Sequence, residues 1–309
     1  MNPISIAVVG VGKIARDQHL PSIHNNPGYR LVAAASRHGS VDGVENFTAI
    51  EDMLAAMPEI EAVSLCMPPR VRFDAAYKAL EAGKHVFLEK PPGATLSEVA
   101  ILEALAQQKN VTLFTSWHSR FGPAVEPARA FLADKTIRRV DIIWNEDVRR
   151  WHPNQDWIWE AGGLGVFDPG INALSIMTHI LPMPVFVTRS TLEIPENRDA
   201  PIAAQIDFQS ASGIPVTADM DWRRQSSDDR WDIIVETDAG TMILGNGGAR
   251  LSVDGVMRAD EQETEYPTLY ARFHDLVRAG RSEVDVAPLR HIADIFMLGS
   301  RKTVEAFYD

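Results

Sequence analysis

Residues 4–15, ISIAVVGVGKIA, constrain the fold more than any other stretch of the chain. An apolar run long enough for one buried strand ends at a glycine, and the pattern G-x-G-x-x-A starts there. Each small residue in it answers a separate steric demand. Gly10 permits the tight turn out of the strand, Gly12 leaves the backbone bare where a pyrophosphate approaches, and Ala15 lets the following helix pack closely. That helix presents unpaired N–H groups and partial positive charge to an anion. Lys13 adds to the charge of the loop, and Ile14 completes the set of cofactor-contact candidates in the turn. A glycine pair alone carries little weight; this one has a strand before it and βα units after it.

Four more apolar runs follow: RLVAAAS (30–36), AVSLCM (62–67), HVFLE (85–89) and TLFTSW (112–117). Helical stretches separate them. RVRFDAAYKALEAG stops at Gly83, and TLSEVAILEALAQQKN opens with Thr95 and Glu98 at capping-box spacing. Near-continuous apolar strands alternating with helices predict a doubly wound parallel sheet, the α/β Rossmann class, over residues 1–120. The second run ends at Ser36 and Arg37, where an NAD-specific site usually carries an acid for the ribose 2′-hydroxyl. With no acid there, Ser36 to donate a hydrogen bond and Arg37 to meet a 2′-phosphate, NADP is expected as a cofactor beside NAD. Pro68 and Pro69, after the third run, are further cofactor-contact candidates.

From about residue 135 strand-like runs follow one another, from RRVDIIWNEDV to TMILG, with DAG (238–240) as a hairpin turn. Helices are predicted at 168–181, 267–279 and 287–307. Residues 121–309 therefore read as an α+β domain with a large, mostly antiparallel sheet.

The net charge of −12 and the lack of a long basic block argue against nucleic-acid binding. The N-terminal apolar run is too short for a membrane span or a signal peptide, so a cytoplasmic location is expected. Cys66 is the single cysteine and reads as a small buried residue; no metal site is expected.

Two constellations carry the chemistry. In HVFLEKPPG, Glu89 and Lys90 stand at the carboxyl end of a sheet strand, where ligands of such folds bind. Pro91 cannot extend the strand and pushes Lys90 to an extended backbone; a cis X–Pro bond would sharpen the turn. In GGLGVFDPGINALSIMTH, Asp168 has helix N-cap character with Pro169 at the first helical position. Asn172 lies four residues on, so carboxylate and amide share one side of the first turn and suit adjacent sugar hydroxyls. His118, Glu146 and His152 are hydrogen-bonding candidates for the substrate. Trp151, Trp157 and Trp159 offer flat apolar faces.

GVGKIA, EKPPG and GGLGVFDPGIN, in this order and spacing, resemble the Gfo/Idh/MocA family of sugar oxidoreductases over nearly the whole chain. The resemblance implies a Rossmann domain followed by a domain whose large sheet is open and serves substrate binding and oligomerisation, with Lys90 in the active site and Asp168 as the family aspartate. Asn172 stands where many members have an acid/base histidine, and an amide exchanges no proton usefully; the base is then Asp168 or Lys90. Lys90, Asp168 and Asn172 are the catalytic candidates, and Glu89 joins the cofactor contacts. Longer stretches such as GKIARDQHLP, LEKPPGATL and EDVRRWHP resemble members that oxidise the anomeric carbon of an aldose. The expected activity is NAD(P)-dependent oxidation of L-arabinose or D-galactose to the lactone by a homodimer or homotetramer. Alternatives are another sugar or polyol, or a non-catalytic NAD(P)-binding sensor.

Overall fold

A computed structural model describes residues 2–153, 155–225, 228–261 and 264–308. Contacts divide the chain into two compact units, 1–118 with 265–286, and 119–264 with 287–309.

The first unit is built on six parallel strands: β1 (Ile4–Val9), β2 (Tyr29–Ala35), β3 (Glu45–Phe47), β4 (Ala62–Leu65), β5 (His85–Glu89) and β6 (Leu113–Ser116), in the order β3-β2-β1-β4-β5-β6. All six residues of β1 are buried, as an apolar strand covered on both faces requires. The connecting helices are α1 (Leu20–His24), α2 (Ile50–Ala56), α3 (Arg72–Glu81) and α4 (Leu96–Lys109). α4 starts where its sequence says it should: Thr95 accepts the N–H of Glu98, and Glu98 returns the bond to the Thr95 N–H. α3 stops at Gly83, which adopts φ +73°.

The second unit is a nine-stranded sheet with α5 (Val125–Leu132), α6 (Val148–Trp151) and α7 (Phe167–Ile180). Its strands are β7 (Ile137–Asn145), β8 (Val185–Pro195), β9 (Ala203–Ser210), β10 (Pro215–Asp221), β11 (Arg230–Thr237), β12 (Gly240–Gly245), β13 (Arg250–Val253), β14 (Val256–Asp260) and β15 (Gly299–Val304). Their order is β14-β13-β12-β11-β7-β10-β9-β8-β15. Only the β7/β10 and β8/β15 pairs are parallel, so the mostly antiparallel expectation holds. Gly240 supplies the positive φ of the hairpin turn between β11 and β12.

Two expectations are corrected at the C-terminal end. The helix α8 (Glu265–Ala279), read as part of the second domain, belongs to the first unit. Tyr266, Leu269, Tyr270, Phe273 and Leu276 form its buried stripe. Tyr270 stacks on Phe87 of β5 at 5.0 Å and Phe273 on Phe114 of β6 at 5.9 Å. Such ring pairs are each worth about 0.5–1.5 kcal/mol beyond area burial. A helical stripe announces a buried face but not which sheet it covers. The helix predicted over 287–307 ends early: α9 (Ala287–Leu298) gives way to β15 at Gly299. A Cβ on Gly299 would stand 2.7 Å from the Ile295 carbonyl and 2.9 Å from the Leu192 side chain of β8, so a larger residue there would force a shift.

Candidate active site

The cofactor candidates of the first unit lie along the carboxyl edge of its sheet. Strand register aligns Val9 with Ala35 and with Leu65, Leu65 with Leu88, and Glu89 with Ser116. Gly10, Ser36 and Lys90, each directly after its strand, and Pro68 and His118, three and two residues beyond theirs, thus emerge at one edge of the sheet. Gly10 has φ +87°, and a Cβ there would meet the Met67 nitrogen at 2.8 Å. Gly12 faces open space, and Ala15 is fully buried beneath it. Here the turns after β1 and β4 close on each other and leave a bare backbone, the cradle that a dinucleotide needs. Lys13 and Ile14 are exposed on the helical turn, and Lys13 pairs with Asp17. Ser36 is half-buried and its Oγ accepts the N–H of His38 at 3.5 Å; Arg37 is exposed. Pro69 is buried and Pro68 partly so.

The Lys90–Pro91 peptide is cis. Arg72, only 2% exposed, staples this strand end: its guanidinium donates to the carbonyls of Glu89 and Pro91 and, through Nε at 3.1 Å, to that of Met67. The lysine-bearing turn and the turn facing Gly10 are thereby held to one side chain. Glu89, expected at the cofactor, points inward and is 3% exposed. Its Oε1 accepts the Tyr266 hydroxyl at 2.7 Å and faces His19 Nε2 at 3.2 Å, while Oε2 accepts the backbone N–H of Lys90 at 2.7 Å. His19 Nδ1 donates to the Tyr270 hydroxyl at 2.7 Å, which lies 2.8 Å from Ser64 Oγ. Burial alone would lower the His19 pKa, but the neighbouring Cys66 and Glu89 raise it to about 9. For Glu89 burial works upward and is overcome by His19, His118 and Tyr266, giving a value of about 2. The pair is therefore ionic at neutral pH, a buried strut directly behind Lys90. His118 closes the edge. It bonds Glu265 through Nδ1 and stacks on Tyr266 at 5.4 Å. Burial opposes its protonation, yet Glu265 and Glu89 raise its pKa.

The second unit collects the other candidates. Asp168 is not the N-cap: α7 begins at Phe167 with Val166 as cap, two residues earlier, just after the left-handed Gly165. Asp168 therefore sits inside the first turn, its side chain 5% exposed and 3.5 Å from His152 Nε2. Asn172, half-buried, follows one turn along the same helix. His152 caps the C-terminal end of α6 and packs on Trp222 at 5.2 Å. Glu146, expected to meet a sugar hydroxyl, has both oxygens engaged: Oε1 accepts the Trp222 indole at 2.9 Å and Oε2 that of Trp231 at 3.0 Å. Burial is the main reason its pKa rises to about 7; the indole bonds work against it, and Asp168 and Asp229 add to it. Trp151 is exposed, edge-on to Trp231 at 5.6 Å, and donates to Asp229 at 3.4 Å. Trp159 is 3% exposed and packs on Trp222 and Phe307, which makes it core rather than a sugar platform. His19, Arg72, Trp222, Trp231, Tyr266 and Tyr270 were not legible as site residues. The one signal was Arg72, an arginine at the head of the Ala75-Ala76-Ala79 buried face.

Comparison with known proteins now decides the family. Residues 4–116 match the GFO_IDH_MocA model, described as an oxidoreductase family with an NAD-binding Rossmann fold. The chain is 46% identical over all 309 residues to galactose 1-dehydrogenase of Pseudomonas fluorescens, covering 100% of each. This protein belongs to the Gfo/Idh/MocA oxidoreductases. Among solved structures, the D-galactose-1-dehydrogenase protein from Rhizobium etli aligns with a TM-score of 0.96 and 67% identity over 100% of this chain and 99% of that one. The 3-ketoreductase KijD10 of Actinomadura kijaniata, crystallised with NADP and TDP-benzene, shares the fold at a TM-score of 0.83 and 17% identity, over 98% of this chain and 100% of that one.

Proposed function

We propose that the protein is an NAD(P)-dependent aldose 1-dehydrogenase that oxidises the anomeric carbon of D-galactose and L-arabinose to the lactone. The observation that carries this reading is the end-to-end likeness to the two galactose 1-dehydrogenases. The two sugars share the stereochemistry of their common ring carbons and differ by the exocyclic CH₂OH, so one pocket serves both.

Gly10, Gly12, Lys13, Ile14, Ser36, Arg37, Pro68 and Pro69 would hold the dinucleotide. The cradle a Cβ would fill at Gly10 is the structural support for this assignment. When bound, the nicotinamide takes up the hydrogen and electron pair released from C1. Everything else falls to the chain. Lys90 contacts the reacting oxygen, aimed by Pro91 and by the Glu89 bond to its N–H. Asp168 accepts the hydroxyl proton, and Asn172 grips a neighbouring hydroxyl. His118, Trp151 and His152 contribute to the sugar's surroundings. General base catalysis of this kind contributes about 10²–10⁴-fold.

No helix among the described residues is long and apolar enough to cross a membrane. We place the enzyme in the cytoplasm as a homodimer or homotetramer.

The test is a panel of aldoses with NAD and NADP, followed by the absorbance of the reduced coenzyme. D-Galactose and L-arabinose should lead the panel, and Lys90→Ala and Asp168→Ala should each abolish turnover. A different sugar in first place, or full activity in either variant, refutes the assignment.

A further inference from the structure

We propose that His152 carries away the proton that Asp168 takes from the sugar, so that the two residues form a relay from a buried carboxylate to solvent. The inference rests on the reaction assigned above and extends it.

Each oxidation of a C1 hydroxyl releases one proton, and that proton has to reach water before the next turnover. Asp168 is poorly placed to deliver it, with a side chain only 5% exposed. His152 is 19% exposed and lies 3.5 Å from Asp168, Nε2 to Oδ2. Its other ring nitrogen lies 3.5 Å from Gln155 Oε1, and its chain neighbours Trp151 and Pro153 are both exposed. Within the pair, then, the imidazole is the member that meets solvent. Both distances are at the long limit of a hydrogen bond, and catalytic bonds in unliganded proteins commonly tighten on binding.

The ring is aimed as well as close. It packs on Trp222 at 5.2 Å, and that indole is fixed by Glu146 at 2.9 Å. Glu146 offers no exit of its own, since both its oxygens hold indole N–H groups and it is 5% exposed. Charged groups near the ring include Asp168 from α7 and Glu146 behind Trp222; Arg149 and Arg150, on the same short helix α6, pair with Asp147 and Asp229.

The step balances. As the C1–O bond becomes C1=O, its O–H bond breaks and the proton bonds to the Asp168 carboxylate. That O–H then breaks in favour of Nε2–H on a neutral His152. The imidazolium loses Nδ1–H to water, Asp168 returns to its ionised form, and the neutral ring recovers its Nδ1–H tautomer by proton exchange with water before the next turnover.

His152 thus acts on the chemistry through Asp168 in addition to lining the sugar's surroundings, so the relay is read in kcat and in chemical rescue rather than in sugar affinity. The experiment uses His152→Ala and His152→Gln, with thermal midpoints measured to confirm folding. The expected result is a fall in kcat of about 10–100-fold in both at saturating sugar, beside any change in KM from the lost sugar contact. Added imidazole should restore the rate of the Ala variant in proportion to its concentration and leave the Gln variant unchanged. A second readout needs neither coenzyme nor sugar: the NMR titration of the His152 ring, which should shift to lower pH in Asp168→Asn. Undiminished kcat, a loss that imidazole does not repair, or a titration indifferent to Asp168→Asn overturns the relay. Failure of the wild type to oxidise any aldose would instead refute the assigned reaction, while the titration still reports on the pair.

Discussion

His19 and Glu89 face each other at 3.2 Å, Nε2 to Oε1, with side chains 0% and 4% exposed. The contact sets a pH window. His19 rises to about 9 in the folded protein from an ordinary 6.5, so its contribution is complete below pH 6.5 and is lost as pH climbs through 9. Glu89 falls to about 2 from 4.5, so its contribution is complete above pH 4.5 and is lost as pH drops through 2. Denaturant unfolding across pH should show an alkaline decline between 6.5 and 9 that vanishes in His19→Gln. Breaking the pair should cost about 3–5 kcal/mol at neutral pH. An alkaline decline that survives in the variant would show that another group titrates.

Glu146 acts with the sign opposite to that of Glu89 and the same as that of His19. Its folded pKa of about 7 exceeds the ordinary 4.5, so the folded state binds the extra proton and stability falls as pH rises from 4.5 to 7. The decline should be on the order of 2 kcal/mol. Glu146→Gln keeps an acceptor for one indole and removes the charge. Its unfolding free energy should be lower than wild type at pH 4.5 and should vary less between pH 4.5 and 7. Parallel curves for the two proteins would falsify the assignment.

Gly10→Ala tests the cradle. The added Cβ meets the Met67 nitrogen at 2.8 Å in a backbone at φ +87°. The turn has to widen, and coenzyme Kd by calorimetry should rise at least about tenfold. Gly12→Ala leaves the unliganded fold undisturbed, because nothing lies within 4 Å of its Cβ. Its thermal midpoint should match wild type while coenzyme affinity drops.

Arg37→Ala should lower kcat/KM for NADP about tenfold and leave that for NAD nearly unchanged, as expected for one guanidinium–phosphate contact. Equal losses with both coenzymes would assign Arg37 to the adenine or to the fold instead.

The first half of the chain was legible because its signals are local. Strand runs, the glycine turn, the Thr95–Glu98 box and the Gly83 stop each specify structure within a few residues. What escaped was long-range. Nothing near Tyr266 says that its hydroxyl meets Glu89, 177 residues away. Glu89 and Glu146 stand at strand ends, where a carboxylate is ordinarily read as facing ligand; both turned inward because buried donors, the Tyr266 hydroxyl and two indoles, were waiting there. Asp168 looked like a cap because an aspartate followed by proline has that form. The helix instead starts at Phe167, which released the carboxylate to meet His152.

The return of α8 to the first unit has a consequence for biosynthesis. A ribosome has made the whole coenzyme-binding sheet by residue 118, yet the Tyr266 and Tyr270 hydroxyls that ligate Glu89 and His19 emerge only after eight of the nine strands of the other sheet have been translated. The helix that covers the aromatic flank and bonds the buried ion pair is thus the last element of the first unit to be made, so that unit cannot mature ahead of the second half of the chain.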